Sequence, residues 1–288
     1  MRLVSYRHNQ IESVGLLRGD GVLDLPRLFG TPGDMISLLG APATLIAIKD
    51  RLSGGLDLPE AIPLGEVNLL APIRRPEKII GVGQNYPALN QDRLAARPPY
   101  PVLFERNVAS LVGPGAVIRL PRGSHQVVIE CELALVVGRG GKHISLDNAL
   151  ECLAGYTLAN DVTARDLELR SSQWTSGKLV DNFLPLGPLV VTTDELVDTG
   201  HLRLRAWINN QIVQDGESAE MCYTPAELIA YISTYITLRP GDLILTGSPK
   251  RLGDKPMPEV FLRHGDRVRI EIDALGLLDN PVEEDHDV

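Results

Sequence analysis

Apolar and polar positions change rhythm several times along the chain, and the short period of strands prevails. Near the start, RLVSYR and SVGLLRGDGVLDL alternate as strands do and turn at Arg18-Gly19-Asp20-Gly21, where glycine accepts positive φ. From Met35 to Leu52 the spacing becomes helical, interrupted by Gly40 and Pro42. The stretch from Ala71 to Lys78, APIRRPEK, reads as a linker. These changes predict a small N-terminal α+β domain over 1–70 and a larger domain over 71–288, ending in an acidic tail at about 279–288.

The larger part opens on a buried-looking strand from Lys78 to Gly83. A proline-rich loop from Tyr86 to Tyr100 follows, long enough to serve as a lid or to be plain slack. PVLFERN and the run from Val127 to Val137 read as strands, the second a long one, and Ser145 to Leu153 as a helix with Ser145 at its N-cap. LGPLVVTTD and LRLRAWINNQIV add strands, the latter turning at Asn209-Asn210. Thr224 and Pro225 open a helix over AELIAYISTYI that Pro240-Gly241 stops; LILTG and a closing hairpin in DRVRIEIDALGLLDN complete the set. Without regular βαβα alternation, the expected class is β-rich α+β.

The chain has 288 residues, 44% of them hydrophobic and 23% charged, enough apolar material for a sizeable core. Its net charge is −9, much of it in the tail, and no basic stripe marks a nucleic-acid partner. No apolar run reaches the roughly 18 residues of a membrane span, so no membrane partner is expected. The opening MRLVSYRHNQIESVG lacks the layout of a signal peptide. Cys131, Cys152 and Cys222 are singletons without metal-type or disulfide-type spacing and suit buried apolar positions in a reducing compartment. A cytoplasmic location is the expectation.

Several familiar motifs fail on inspection. GVGQNY lacks the third glycine of a dinucleotide fingerprint, and Gly177-Lys178 lacks P-loop spacing. The histidines form no HExxH, and Ser171 and Ser172 have no nucleophile-elbow context. The strongest local signal is Glu130-Cys131-Glu132 within apolar surroundings: a strand would put both carboxylates on one face. Two such groups repel unless one is protonated or a cation lies between them, and a hard divalent ion suits all-oxygen ligation. A solvated edge strand would explain the same pattern. Asp161, after a short apolar run, stands where a third ligand would come from a strand end. Lys178 is suited to stabilising an enolate or a carboxylate near a metal, or is simply a surface lysine.

Taken together, these residues resemble the fumarylacetoacetate hydrolase family. KIIGVGQNY, LVGPGAVIRLP, ECELALVVG, AGYTLANDVTARDL, QWTSGKLVDNFLPLGPLVVTTDEL, LRPGDLILTGSPKRLG and HGDRVRIEID follow the family's order. The resemblance runs from about Lys78 to Asn280. It implies a mixed β-roll or β-sandwich catalytic domain, a homodimer, and Mg²⁺ or Mn²⁺ held by Glu130, Glu132 and Asp161 beside a catalytic Lys178. It also implies a small 2-oxo or 2,4-dioxo acid as substrate, with Tyr86, Arg165, Thr246, Gly247 and Ser248 near it.

The lid departs from the family's pattern. Smaller members read N-Y-x-x-H-x-x-E, whereas this chain has Leu89 at the histidine position and Asp92, a lower-ranking catalytic candidate, at the glutamate position. Loss of a general base costs about 10²–10⁴-fold in a water attack. The leading expectation is a metal-dependent hydrolase of a carbon–carbon bond in a catabolic route. Decarboxylation, tautomerisation or lyase chemistry on an oxaloacetate-like acid is the alternative, and an inactive metal–carboxylate binder a further one.

Overall fold

The structure is a computed structural model that describes residues 1–54, 58–88, 91–250 and 260–285. Among them a twelve-stranded sheet forms the centre and a five-stranded sheet packs on one of its faces. The fold is β-rich α+β, as the hydrophobic rhythm predicts.

Strand Cys131–Val137 lies in the middle of the large sheet, antiparallel to Leu153–Asn160 on one side and to Leu243–Leu245 on the other. Every residue of it is buried, because both faces of the sheet are covered. On one face Cys131, Leu133, Leu135 and Val137 join the core shared with Leu204, Ile270 and Leu278 of the five-stranded sheet and with Leu228, Ile229 and Ile232 of helix Pro225–Tyr235. On the other, Ala134 and Val136 meet Leu38, Leu39 and Ile48 from the N-terminal helices. The N-terminal segment also pairs with the sheet: strand Arg2–His8 lies antiparallel to Leu184–Thr192 and to Asn68–Leu70. Position 70/71, the expected domain boundary, follows that last strand directly.

Many elements form where the pattern puts them. Ile11–Arg18 and Gly21–Asp24 pair around the Arg-Gly-Asp-Gly turn, and Met35–Leu39 and Pro42–Ser53 are helices separated at Gly40. Helix Pro225–Tyr235 starts with Thr224 and Glu227 bonded reciprocally, which satisfies two of the amides a helix start leaves open. It ends at Tyr235, since Ile236 is already extended, well before Pro240.

Two expectations are corrected. The segment from Val127 to Val137 is not one strand: Val127–Val128 pairs with Thr163–Ala164 in a separate ribbon, and the main strand starts at Cys131. The break has a cause in side chains. The Glu130 amide donates to Asn160 Oδ1 (3.1 Å) and the Cys131 amide to Gln214 Oε1 (2.8 Å), so neither is left for a continuous ladder. Ser145 to Leu153 is not a helix but two 3₁₀ turns, Leu146–Asn148 and Leu150–Cys152; Leu153 pairs with Val137 and Ser145 makes no side-chain cap.

Candidate active site

The acidic cluster is assembled where strands end. Glu132 is the second residue of the central strand, opposite Ala159, and Glu130 directly precedes that strand. Asp161 follows the end of Leu153–Asn160, with its amide bonded to the Glu130 carbonyl (2.9 Å). The three carboxylates offer oxygen atoms that all lie within 4.8 Å of one another. Lys178, the last residue of the short helix Thr175–Lys178, donates to Glu130 Oε2 (2.8 Å) and Asp161 Oδ2 (2.5 Å) and is buried. The Gly247 amide donates to Glu132 Oε2 (2.8 Å) from a backbone at φ +87°, where a side chain would be strained and its Cβ would approach the Val82 carbonyl to 3.0 Å.

Electrostatics divide the two glutamates. Burial alone would raise the Glu130 carboxyl, but the Lys178 ammonium and the Arg165 guanidinium outweigh it and bring its pKa to about 2. Glu132 is pushed well above the ordinary carboxylate range, first by burial and then by the charges of Asp161 and Glu130. Lys178 loses by burial but gains more from Asp161 and Glu130, so it stays an ammonium. Asp161 Oδ1 is buried and accepts no hydrogen bond from the described residues, although the Arg106 guanidinium lies 3.1 Å away. An all-carboxylate donor set, one member of which resists ionisation, with an acceptor atom left over, fits a hard divalent cation.

These groups line a cavity of about 360 Å³ shared with Tyr86, Phe104, Arg165, Glu168, Trp174, Ser248 and Lys250. Arg165 sits on Arg165–Glu168, where it pairs with Glu130 Oε1 (3.1 Å) and with Glu168. The Tyr86 hydroxyl is buried without a hydrogen-bond partner among the described residues. The Trp174 ring lies edge-on to Phe104, centroids 5.9 Å apart, and over Gly83, where a Cβ would come within 2.1 Å of it.

The other sequence candidates are used differently. Thr246 is buried and its hydroxyl bonds the Leu133 carbonyl (2.9 Å), so it fastens a strand end rather than facing the cavity. Asp92 caps the four-residue helix Arg93–Ala96, accepting from the amides of Leu94 (2.9 Å) and Ala95 (3.0 Å), and is not among the cavity's lining residues. Leu89 lies outside the described residues.

Arg106 was not foreseen. Fully buried, it donates to the carbonyls of Val162 (3.2 Å) and Phe183 (2.7 Å) as well as facing Asp161. A trace of it was in the sequence: in PVLFERN it shares strand parity with Phe104, while Glu105 between them is exposed.

A buried acidic triad with an adjoining lysine, set at strand ends of a β-rich α+β fold, is a group of carboxylates that could hold a metal ion. Residues 78–283 match the fumarylacetoacetate (FAA) hydrolase C-terminal family. The chain is 40% identical over 292 residues to "Oxaloacetate tautomerase Fahd2a, mitochondrial" of Rattus norvegicus, covering 98% of this chain and 91% of that one. Among solved structures it resembles a 5-carboxymethyl-2-hydroxymuconate delta-isomerase from Mycobacterium smegmatis, with TM-score 0.80 and 31% identity across 100% of both chains. It also resembles maleylpyruvate hydrolase from Sphingobium sp. SYK-6 in complex with manganese(II) ion and pyruvate, with TM-score 0.82 and 28% identity over 99% of this chain and 100% of the other. The chain belongs to the fumarylacetoacetate hydrolase family of enzymes. No helix among the described residues is long and apolar enough to cross a membrane.

Proposed function

We propose that this enzyme is a divalent-metal-dependent tautomerase that interconverts the keto and enol forms of an oxaloacetate-like 2-oxo acid. The reaction moves one proton between C3 and the oxygen on C2 and breaks no carbon–carbon bond. The observation that carries the reading is the pairing of a buried, charged Lys178 with a cavity whose described lining contains no histidine. A buried ammonium stabilises the enolate oxygen, and the proton leaving C3 can pass to a lining carboxylate such as Glu168, whereas attack by water asks in addition for a base placed to hold and activate that water. Asp92, one candidate for that base, is engaged at a helix start. The 40% identity to a protein named oxaloacetate tautomerase supports the same choice over carbon–carbon hydrolysis.

In this reading Glu130, Glu132 and Asp161 hold the ion. Mg²⁺ or Mn²⁺ would supply Lewis-acid polarisation of the 2-oxo group. Lys178 bridges Glu130 and Asp161 and presents its charge to the developing oxyanion. Arg165, turned toward Glu130 and Glu168, holds that side of the cavity in place. Trp174 and Phe104 form an apolar wall that restricts water, so charges inside act over a lower dielectric.

The test follows the enol band of oxaloacetate in the ultraviolet, with proton NMR of the products, using Mg²⁺ or Mn²⁺ and with EDTA and Lys178→Ala as controls. Metal-dependent equilibration without pyruvate release supports the proposal, and Lys178→Ala should slow it by about 10²–10³-fold, the usual scale for losing one oxyanion donor. Pyruvate and a free acid from an acylpyruvate, with no effect on the enol band, would restore hydrolysis.

A further inference from the structure

The cations of the cavity are not equivalent. Lys178 is taken up by Glu130 and Asp161, and Arg165 by Glu130 and Glu168. Lys250 lines the same cavity at its exposed rim, yet it has no ion pair or hydrogen bond among the described residues. A lysine on an open surface needs no partner. This one, however, is carried on a loop fixed to the cluster at two points.

The Gly247 amide is bonded to Glu132, and the Pro249 carbonyl accepts from Gln214 Nε2 (2.7 Å). Gln214 is itself buried, and its Oε1 accepts from the amide of Cys131, between the two glutamates. The backbone leading into Lys250 is therefore held by the same residues that set Glu130 and Glu132.

Charge balance gives that placement a meaning. Four carboxylates line the cavity: Glu130, Glu132, Asp161 and Glu168. Four cations face them: Arg165, Lys178 and Lys250 in the lining and Arg106 behind Asp161. With every group ionised the set is neutral, so a bound divalent ion leaves two positive charges for the substrate to meet. A 2-oxo monocarboxylate supplies one negative charge and a dicarboxylate two.

Resting on the tautomerase reading above, we propose that Lys250 is the specificity-determining residue that pairs with the distal carboxylate of a 2-oxo dicarboxylic acid. The substrate's 2-oxo acid end occupies the Glu130–Glu132–Asp161 end of the cavity, and its second carboxylate points to the rim. An exposed pair of this kind contributes modestly to affinity, and the preference over a substrate lacking the second carboxylate is of the same size, because such a substrate leaves the lysine as it was.

The experiment uses the Mn²⁺-loaded protein and two stable 2-hydroxy acids with the same chelating end: malate, which carries a second carboxylate, and lactate, which does not. Calorimetric affinities are measured for wild type, Lys250→Ala, Lys250→Glu and Lys250→Arg. Malate affinity should fall about fivefold in Lys250→Ala, the upper range for an exposed pair. It should fall further in Lys250→Glu and return in Lys250→Arg, while lactate binding stays level throughout. Equal losses for both acids, unchanged malate binding in Lys250→Glu, or no preference for malate in the wild type would each overturn the assignment. Because binding is read without turnover, a failed tautomerase assay with the malate preference intact would remove the reaction and leave this carboxylate site standing.

Discussion

Glu132 lies on a strand paired on both sides and buried on both faces, with one oxygen fixed by a backbone amide. Asp92, the catalytic candidate from the lid, caps a four-residue helix whose residues are exposed or half-buried. The two carboxylates were candidates for one machine, but their settings differ in rigidity. Residues that hold an ion need fixed geometry, and strand ends in the middle of a sheet supply it. Loops carry the variable part of many sites, and a fold by itself does not choose the reaction.

The largest break in that comparison comes from Glu132→Ala. Partners outside the ligand shell of a metal typically cost about 10–100-fold in affinity when removed. A proposed ligand held by the Gly247 amide should cost more than that, and Mn²⁺ titration followed by electron paramagnetic resonance reads it directly. Turnover should be lost together with the ion. Relief of the burial cost and of the repulsion by Asp161 and Glu130 offsets the lost bond to the Gly247 amide, so the variant should still fold without metal, as circular dichroism would show. Intact Mn²⁺ affinity in this variant would dissolve the metal reading.

A smaller effect separates the wall of the cavity from its floor. In Gly83→Ala the new Cβ would lie 2.1 Å from Trp174 Cζ3, so the indole must move from its seat beside Phe104. Displacing a positioning group by about 1 Å can cost about 10²-fold in rate. Turnover of the 2-oxo acid should fall by about 10–100-fold while Mn²⁺ affinity stays at the wild-type value. A parallel fall in both would mean that wall and metal site are one unit.

How much of this was legible in the sequence depends on whether backbone or side chains made the decision. Thr224, Pro225 and Glu227 announce a helix start because capping is local, and the helix begins there. The Glu130–Glu132 pair and Asp161 stand out because charged groups interrupt apolar runs. Their convergence, though, depends on the break before Cys131, which Asn160 and Gln214 impose through side-chain bonds to two backbone amides. Alternation of apolar residues from Val127 to Val137 contains no trace of those bonds, so the run reads as continuous. Ser145 looks like a helix cap, but the strand pairing of Leu153 claims the chain before a full helical turn sequence can form. Arg106 escaped because charged residues are almost never fully buried, and its partners are distant in sequence: Val162, Phe183 and Asp161.

The smallest effect is expected at Asp92, where two substitutions separate a structural carboxylate from a chemical one. Asp92→Asn keeps a side-chain oxygen able to accept from the amides of Leu94 and Ala95, so the helix start survives, but it removes any capacity to take a proton. Asp92→Ala removes both, at a local cost of about 0.5–2 kcal/mol for a lost N-cap. If the carboxylate only holds the helix, Asp92→Asn should turn over oxaloacetate as the wild type does. Asp92→Ala should show faster amide exchange at Leu94 and Ala95 with little change in rate. The helix is also tied by Arg93 to the Met221 carbonyl (3.0 Å), which limits how far the uncapped segment can move. A loss of about 10²–10⁴-fold in Asp92→Asn, the range for a missing general base, would instead give Asp92 the proton-transfer role and bring the lid into the chemistry.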